Sequence, residues 1–414
     1  MLVRHLSLTD YRNYSRAEVP LFRGPNLFVG RNGQGKTNLV EALGYLSTLG
    51  SHRVSNDQAL IKSSAQAAII RARLQHEERE LLVELQLNRS EPNRAQVNRS
   101  VVKVREIPRY FSSVLFAPED LALVRGDPSV RRRFLDQLLV ARTPRLAGVT
   151  ADYDRVLRQR NTLLKSARTA GVRGSGLSTL DIWDDRLVVL GSEIITERAA
   201  LVSELRPRVD AAYRAVAGAD HAPRLTNRLS IMPGTNTDDE LHDTHAAEPG
   251  ELVRGAGAGI PDTRAGVEEA FRASLASARK QEIDRGITLV GPHRDDVVFE
   301  LNSLPAKGYA SHGESWSFAL GLKVASAELL RSDSQTGDPV VILDDVFAEL
   351  DQSRRGRLAA AVGGFEQVLI TAAVLEDVPA ELAAHTVHID AGAIVDQDAD
   401  DGVRPGERGG GTRD

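Results

Sequence analysis

Gly30-Arg31-Asn32-Gly33-Gln34-Gly35-Lys36-Thr37 has the spacing G-x-x-x-x-G-K-[ST]. Such a stretch is built for phosphate. Glycines let the backbone turn its N–H groups inward, and a helix starting at the end of the loop adds its positive pole. The lysine reaches the outer phosphates of a nucleoside triphosphate, and the hydroxyl after it can ligate Mg2+. Every residue from Gly30 to Thr37 is therefore a candidate ligand for ATP, with Lys36 the candidate catalytic cation.

A phosphate loop of this kind needs a carboxylate for its metal at the end of a buried strand. Val340-Val341-Ile342-Leu343-Asp344-Asp345 supplies one. Asp344 is placed to hold Mg2+ together with Thr37, and Asp345 to orient or deprotonate the attacking water. In isolation the same run could be an ordinary strand ending in an acidic turn; the phosphate loop gives it meaning. Roughly three hundred residues separate Lys36 from Asp344. In a small GTPase the two lie much closer, so a whole domain is inserted between them here.

A third element is Ala310-Ser311-His312-Gly313-Glu314, just before a helical pattern. A serine hydroxyl and a glycine at a helix N-terminus form a second phosphate-binding arrangement. Standing alone it reads as a helix cap. One γ-phosphate does not need two such sites in one chain, so the economical reading assigns Ser311 and Gly313 to ATP held by a second copy. Ala348-Glu349-Leu350-Asp351 closes the turn after the aspartates.

The elements that must position these groups are legible in outline. Leu2–Leu8 alternates apolar and polar residues as a strand does, and Asn26–Val29 is a short strand feeding the loop. Leu39–Leu49 has helical spacing. Ala68–Leu74, Leu81–Leu87 and Val97–Val104 predict a small antiparallel sheet. From Pro128 to about Val216 the pattern is helical: Arg131–Leu146, Ala151–Arg168 and a long stretch from Leu180 interrupted by Pro207. Met232–Ala265 is nearly free of large apolar residues and reads as a flexible loop before a helix over Gly266–Asp284. Thr288–Val290, Val340–Leu343 and Gln367–Thr371 predict buried strands, with helices at Glu314–Arg331 and Gln352–Val362. The expected division is a head part over 1–125, a mostly helical lobe over 126–285 with its loop at 232–265, a second head part over 286–395, and a disordered tail over 396–414. The fold class is α/β, a P-loop head with a mixed sheet, flanking helices and a small antiparallel sheet. Heptads do not persist, so no long coiled coil is expected.

Composition removes other classes. The 414 residues carry 42% hydrophobic and 26% charged residues and no cysteine. Disulfides, thiol nucleophiles and cysteine-ligated metals are therefore out, and a reducing cytoplasm is compatible. No apolar run approaches a membrane span. A net charge of −5 rules out a globally basic nucleic-acid binder but not a basic face. Leu121–Arg145 holds Arg125, Arg131, Arg132, Arg133, Arg142 and Arg145 against Asp127 and Asp136. Tyr153–Arg173 opposes a further basic run, centred on Arg155–Arg168, to Asp154 alone. These read either as solvated helix faces or as contacts to DNA phosphates.

Taken in order, the phosphate loop, serine–glycine pair, aspartate strand and closing turn resemble an ABC ATPase head of the SMC-like group. Within it the sequence is similar to the RecF family of bacterial recombination proteins. The resemblance is carried by Tyr11-Arg12-Asn13-Tyr14, Gly30 to Asn38, Phe116 to Leu121, Arg131 to Asp136, Leu289 to Asp296, Ser311 to Glu314 and Leu343 to Asp351, and it spans nearly the whole chain. It implies binding of ATP with Mg2+, head-to-head homodimerisation around the nucleotide, and binding to single-stranded, double-stranded or gapped DNA. It further implies work with RecR and RecO in loading RecA, support of the SOS response, and a cytoplasmic location.

The chain departs from the wider ABC pattern at several points. Asp345 stands where glutamate is common, Ala372 and Ala373 stand where a switch histidine is expected, and Glu314 replaces a usual glutamine. For a Q-loop glutamine, Glu119 is the nearest substitute. These departures point to slow turnover, with ATP acting as a clamp; a scaffold with negligible hydrolysis is the alternative, and a transporter-type subunit is disfavoured by the long helical insert. The sequence assigns no role to His293-Arg294-Asp295 or to Arg12. Trp183 and Trp316 are expected in the core.

Overall fold

The structure, a computed structural model, describes residues 1–170, 178–232, 261, 263–390 and 392–395. Most of the loop expected over 232–265 (residues 233–260 and 262) and the tail over 396–414 lie outside the described residues. Strands β1 (Leu2–Tyr11), β2 (Tyr14–Pro20) and β3 (Gly24–Val29) lead into helix α1 (Lys36–Thr48). Next come β4 (Ala67–His76), β5 (Arg79–Asn88), β6 (Arg94–Val97), β7 (Ser100–Val102) and β8 (Ser113–Phe116). Helices α2 (Leu121–Arg125), α3 (Pro128–Arg142), α4 (Leu146–Ala170) and α5 (Ser178–Ala217) follow, then β9 (Arg224–Arg228) and α6 (Arg264–Arg285). The last third holds β10 (Asp296–Leu301), β11 (Leu304–Pro305), α7 (His312–Asp333), β12 (Val340–Asp344), α8 (Gln352–Val362), β13 (Gln367–Ala372), β14 (His385–Asp390) and β15 (Ala393–Val395).

The central sheet has the order β15-β14-β3-β13-β12-β8. Its pairs are parallel except for β14 with β15. Along β12, Val340 and Ile342 join one apolar cluster with α1, while Val341 and Leu343 join another with α7 and α5. Both faces of the sheet are thus covered, which is why its strands are continuous aliphatic runs. A second sheet, β2-β1-β4-β5-β6-β7, is wholly antiparallel and closes over the other side of α1. The two sheets hold α1 between them, so that helix is buried nearly all round.

Three expectations need correction. Pro207 does not interrupt the long helix: α5 runs from Ser178 through Ala217 with Pro207 inside it. Pro207 and Ser203, whose carbonyl loses its amide donor, are both exposed to water. Leu201, Val202, Leu205 and Val209 are fully buried on either side and hold the axis in place. Thr288–Val290 is not a strand. Its amides are taken by side chains, Thr288 N–H donating to Asn161 Oδ1 at 2.8 Å and Leu289 N–H to Glu282 Oε1 at 2.7 Å. The strand in this region is β10, and it pairs antiparallel with β9, which no sequence pattern announced. Trp316 is buried as expected, whereas Trp183 is only partly buried against the cluster of the helical lobe.

Candidate functional site

The phosphate loop joins β3 to α1 at the carboxyl end of the parallel sheet. Its backbone explains its glycines. A Cβ on Gly30 would lie 2.2 Å from the Ile389 carbonyl oxygen of neighbouring β14. Gly35 has φ +115, and a Cβ there would lie 2.7 Å from the Asn13 amide and 2.8 Å from the Tyr14 hydroxyl. Gly33 also takes a left-handed φ, of +83. Gly35 is the N-cap of α1 and offers no side-chain cap, which leaves first-turn amides of the helix for an anion. Arg31, Asn32 and Gly33 are exposed and form the rim. The Gln34 carbonyl accepts from Asn13 Nδ2 at 3.1 Å and from the Gly392 amide at 3.1 Å, which anchors the loop on both sides.

Lys36 is 3% exposed, and its ammonium donates to the Arg31 carbonyl at 3.3 Å rather than to a carboxylate. A buried cation folded onto the loop beside an uncapped helix N-terminus fits an anionic guest. Thr37 Oγ donates to Asp344 Oδ1 at 3.0 Å, although 307 residues separate them. The register of β12, β13 and β3 creates this meeting by bringing all three strand ends to one edge. A hydroxyl and a carboxylate converging beside a phosphate cradle are a donor set for a hard divalent cation, so the residues present fit Mg2+.

Sequence reasoning missed Thr371 as a functional residue. Its hydroxyl donates to Asp344 Oδ1 at 2.7 Å and accepts from the Asp345 amide at 2.9 Å. It ends a buried strand next to the aspartates, and a polar residue at that place was the available signal. Asp345 is a non-glycine residue at φ 51. Burial raises the pKa of its carboxyl, the Lys36 charge opposes the rise, and the nearby Asp344 charge adds to it.

Arg12, left without a role by the sequence, is committed to Glu41 on α1. Its Nε and Nη2 donate to the two carboxylate oxygens at 2.9 and 2.6 Å, and Nη1 donates to the Ala59 carbonyl at 3.1 Å. Glu41 is fully buried, so Arg12 serves as its counter-ion and secures the turn whose Asn13 braces the loop. Glu119 lines a cleft of about 230 Å3 between α1, β8, α3 and α7, whose lining includes none of the residues from Gly30 to Thr37.

Ser311 is exposed and is the N-cap of α7, with Glu314 closing a reciprocal capping box. Gly313 lies against Arg354 of α8: a Cβ would sit 2.7 Å from one guanidinium nitrogen. Asp351 caps α8 and pairs with the same Arg354 at 2.8 Å. The serine–glycine pair and the closing turn are therefore one surface unit. The hydrogen bonds of Ser311 all run to its own helix.

The arginine runs divide into buried and exposed members. Arg131 is buried and forks onto Asp296 at 2.7 and 2.8 Å, with its third nitrogen on the Leu123 and Gly126 carbonyls. Arg160 is fully buried among Asp184, Glu282 and Thr288. Both are structural, so at these two positions the runs are neither solvated helix faces nor contacts to DNA phosphates. Arg155, Arg158, Lys165 and Arg168 of α4 are exposed, as is Arg133. His293 and Asp295 are interior groups. Burial pushes the His293 ring down to about 3, its Nδ1 lying 2.7 Å from the Tyr153 hydroxyl. Burial raises the Asp295 carboxyl to about 6 despite two hydrogen bonds from Ser230.

A phosphate loop at a parallel-sheet edge, an aspartate strand returning to it and an inserted helical lobe define a P-loop head of the SMC-like ABC ATPase class. Residues 2–388 match the family described as RecF/RecN/SMC N terminal domain. Within it the chain belongs to the RecF family. It is 66% identical over 415 residues to the DNA replication and repair protein RecF of Clavibacter sepedonicus, covering 99% of this chain and 100% of that one. It is 52% identical over 398 residues to the protein of the same name from Streptomyces avermitilis, covering 95% and 99%. Among solved structures it resembles the recombination mediator protein RecF-ATP of the RecFOR pathway, with TM-score 0.79 and 26% identity over 95% of this chain and 96% of that one. An Smc head bound to the C-winged helix domain of ScpA, at TM-score 0.50 and 13% identity, covers 95% of this chain and 96% of that one and shares the fold. Among the described residues no helix is long and apolar enough to cross a membrane.

Proposed function

We propose that the chain is an ATP-dependent DNA-binding protein of recombinational repair and replication-gap processing. The names of its relatives support a role in DNA replication and repair. The similar structure named RecF-ATP supports ATP as the nucleotide and the RecFOR pathway as the setting, with RecO and RecR as partners and RecA loading and SOS support downstream. The observation that carries the reading is the meeting of Thr37 with Asp344 beside buried Lys36.

In this reading Gly30 to Thr37 hold the triphosphate, Lys36 neutralises its outer charge, and Thr37 with Asp344 hold Mg2+. The metal supplies charge neutralisation on the phosphates. Asp345 holds a proton-accepting oxygen beside Lys36. Exposed Ser311 and half-buried Gly313 complete the site of a second copy, so ATP closes a homodimer. The head is built from about 1–125 and 286–395, and the helical lobe from about 126–285. Exposed Arg155, Arg158, Lys165 and Arg168 are the proposed phosphate contacts to DNA, which makes binding salt-sensitive and largely independent of sequence.

Slow hydrolysis is favoured by Ala372, which ends β13, and Ala373 just after it, where the sequence carries no imidazole, and by the short side chain of Asp345. The test is DNA binding to gapped, single-stranded and double-stranded substrates with and without ATP. Binding strengthened by ATP at junctions is expected. Binding indifferent to ATP on every substrate would defeat the reading.

A further inference from the structure

Asp344 uses its two oxygens unequally. Oδ1 accepts from both Thr37 and Thr371. Oδ2 faces Nε2 of His52 at 3.6 Å, just beyond hydrogen-bond range. That ring nitrogen is buried and has no hydrogen-bond partner. A buried polar atom left unpaired costs stability, so its retention calls for an explanation.

His52 is not a loose side chain. The residue before it, Ser51, donates to Glu41 Oε1 at 2.6 Å, and its hydroxyl accepts from the Arg53 and Val54 amides at 3.0 and 3.1 Å. Arg53 in turn donates to Asn38 Oδ1 at 3.0 Å. The loop on both sides of His52 is thus tied to α1, the helix that also carries Thr37. His52 forms part of the wall between the aspartate and the cleft that Glu119 and Lys323 also line. Its aim at Asp344 is fixed by the same helix that fixes the phosphate loop.

The geometry points to His52 as the positioning residue for Asp344. Nε2–H holds Oδ2 once the carboxylate turns by a few tenths of an ångström, and this keeps Oδ1 presented beside Thr37. Three donors from three elements, α1, the loop after it and β13, then leave the carboxylate one orientation. Partners of this kind, behind a metal ligand, set both its direction and its affinity. The inference rests on the reading of Asp344 as a metal ligand.

Side-chain length provides the discrimination. Glutamine places an amide N–H near the position of Nε2, whereas asparagine ends near Nδ1 and falls short. Mn2+ binding to the protein with a non-hydrolysable ATP analogue, followed by electron paramagnetic resonance, is the measurement. His52→Ala and His52→Asn should weaken Mn2+ binding about tenfold, and His52→Gln should stay near wild type. Binding of fluorescent ATP in EDTA should be the same for all. Equal Mn2+ affinity across the series, equal loss in the glutamine and alanine variants, or equal loss in EDTA would overturn the proposal. Asp344→Asn is measured alongside. If it too binds Mn2+ like wild type, the metal-site reading falls and the role of His52 with it. If it loses Mn2+ while His52→Ala does not, only the role of His52 is rejected.

Discussion

Thr371 donates its hydroxyl to Asp344 Oδ1 at 2.7 Å while accepting the Asp345 amide at 2.9 Å, so one side chain sets both acidic residues at the end of β12. Thr371→Val keeps the shape and removes both bonds. Leaving the half-buried Asp345 amide unpaired should cost about 1 kcal/mol of stability. The Mg2+ concentration needed for ATP-dependent pairing should rise about tenfold, and Thr371→Ser should restore it. An unchanged Mg2+ midpoint in the valine variant would show that Asp344 is oriented without Thr371.

Lys36 and Ser311 test the two halves of the proposed composite site separately. Lys36→Ala removes the buried cation and should abolish both nucleotide binding and ATP-dependent dimerisation. Ser311→Arg alters an exposed cap remote in sequence from the phosphate loop, and should leave nucleotide binding intact while blocking pairing. Light scattering with parallel nucleotide titration separates these outcomes. Normal pairing by Ser311→Arg would remove α7 from the contact between copies.

The basic residues of the lobe should behave as two groups. Arg160→Ala leaves buried Glu282 without the cation it pairs with and Asp184 with Arg279 alone, and should destabilise the protein by about 3–5 kcal/mol. Replacing exposed Arg155, Arg158 and Lys165 with alanine should leave the melting temperature nearly unchanged and flatten the dependence of DNA affinity on salt. A salt slope identical to wild type would move the phosphate contacts to another face.

The interior of the lobe predicts a pH dependence. The His293 pKa is depressed on folding, from an ordinary 6.5 to about 3. Its contribution is therefore complete above pH 6.5 and is lost as pH falls towards 3, by up to ~1.4 kcal/mol per pH unit. Asp295 has the opposite sign: its carboxyl is raised to about 6, so its contribution is present at low pH and lost as pH rises through 6. In denaturant titrations, the stability advantage of wild type over His293→Gln should shrink from pH 7 to pH 4. Asp295→Asn should gain on wild type over the same interval read upward. Parallel pH profiles for wild type and both variants would contradict the buried assignments.

Much of the site could be read from local pattern, because its parts are local. The phosphate loop needs only its glycines and the strand and helix beside it, and α8 begins and ends where the sequence places it. Features that depend on distant partners were not legible. Thr288–Val290 has strand-like residues, yet Asn161 and Glu282 take its amides. Arg131 and Arg160 look like surface charges until Asp296, Asp184 and Glu282 arrive from elsewhere in the chain. Pro207 signals a break, and burial of four aliphatic residues around it overrides the signal. His52 and Thr371 are ordinary residues in sequence; only the convergence of α1, β12 and β13 makes them neighbours of Asp344.

The strand order of the central sheet also governs how the protein can be made. On the ribosome, β1, β2 and β4 to β7 emerge in succession and pair with near neighbours, so that sheet can close once Val102 is out. By contrast β3, synthesised by residue 29, pairs only with β13 and β14, which begin at residues 367 and 385. Through most of translation the nascent chain carries a phosphate loop with no sheet to hold it. Nucleotide binding is therefore acquired late and all at once. Arrested chains ending before residue 367 should protect the antiparallel sheet from protease while remaining blind to ATP.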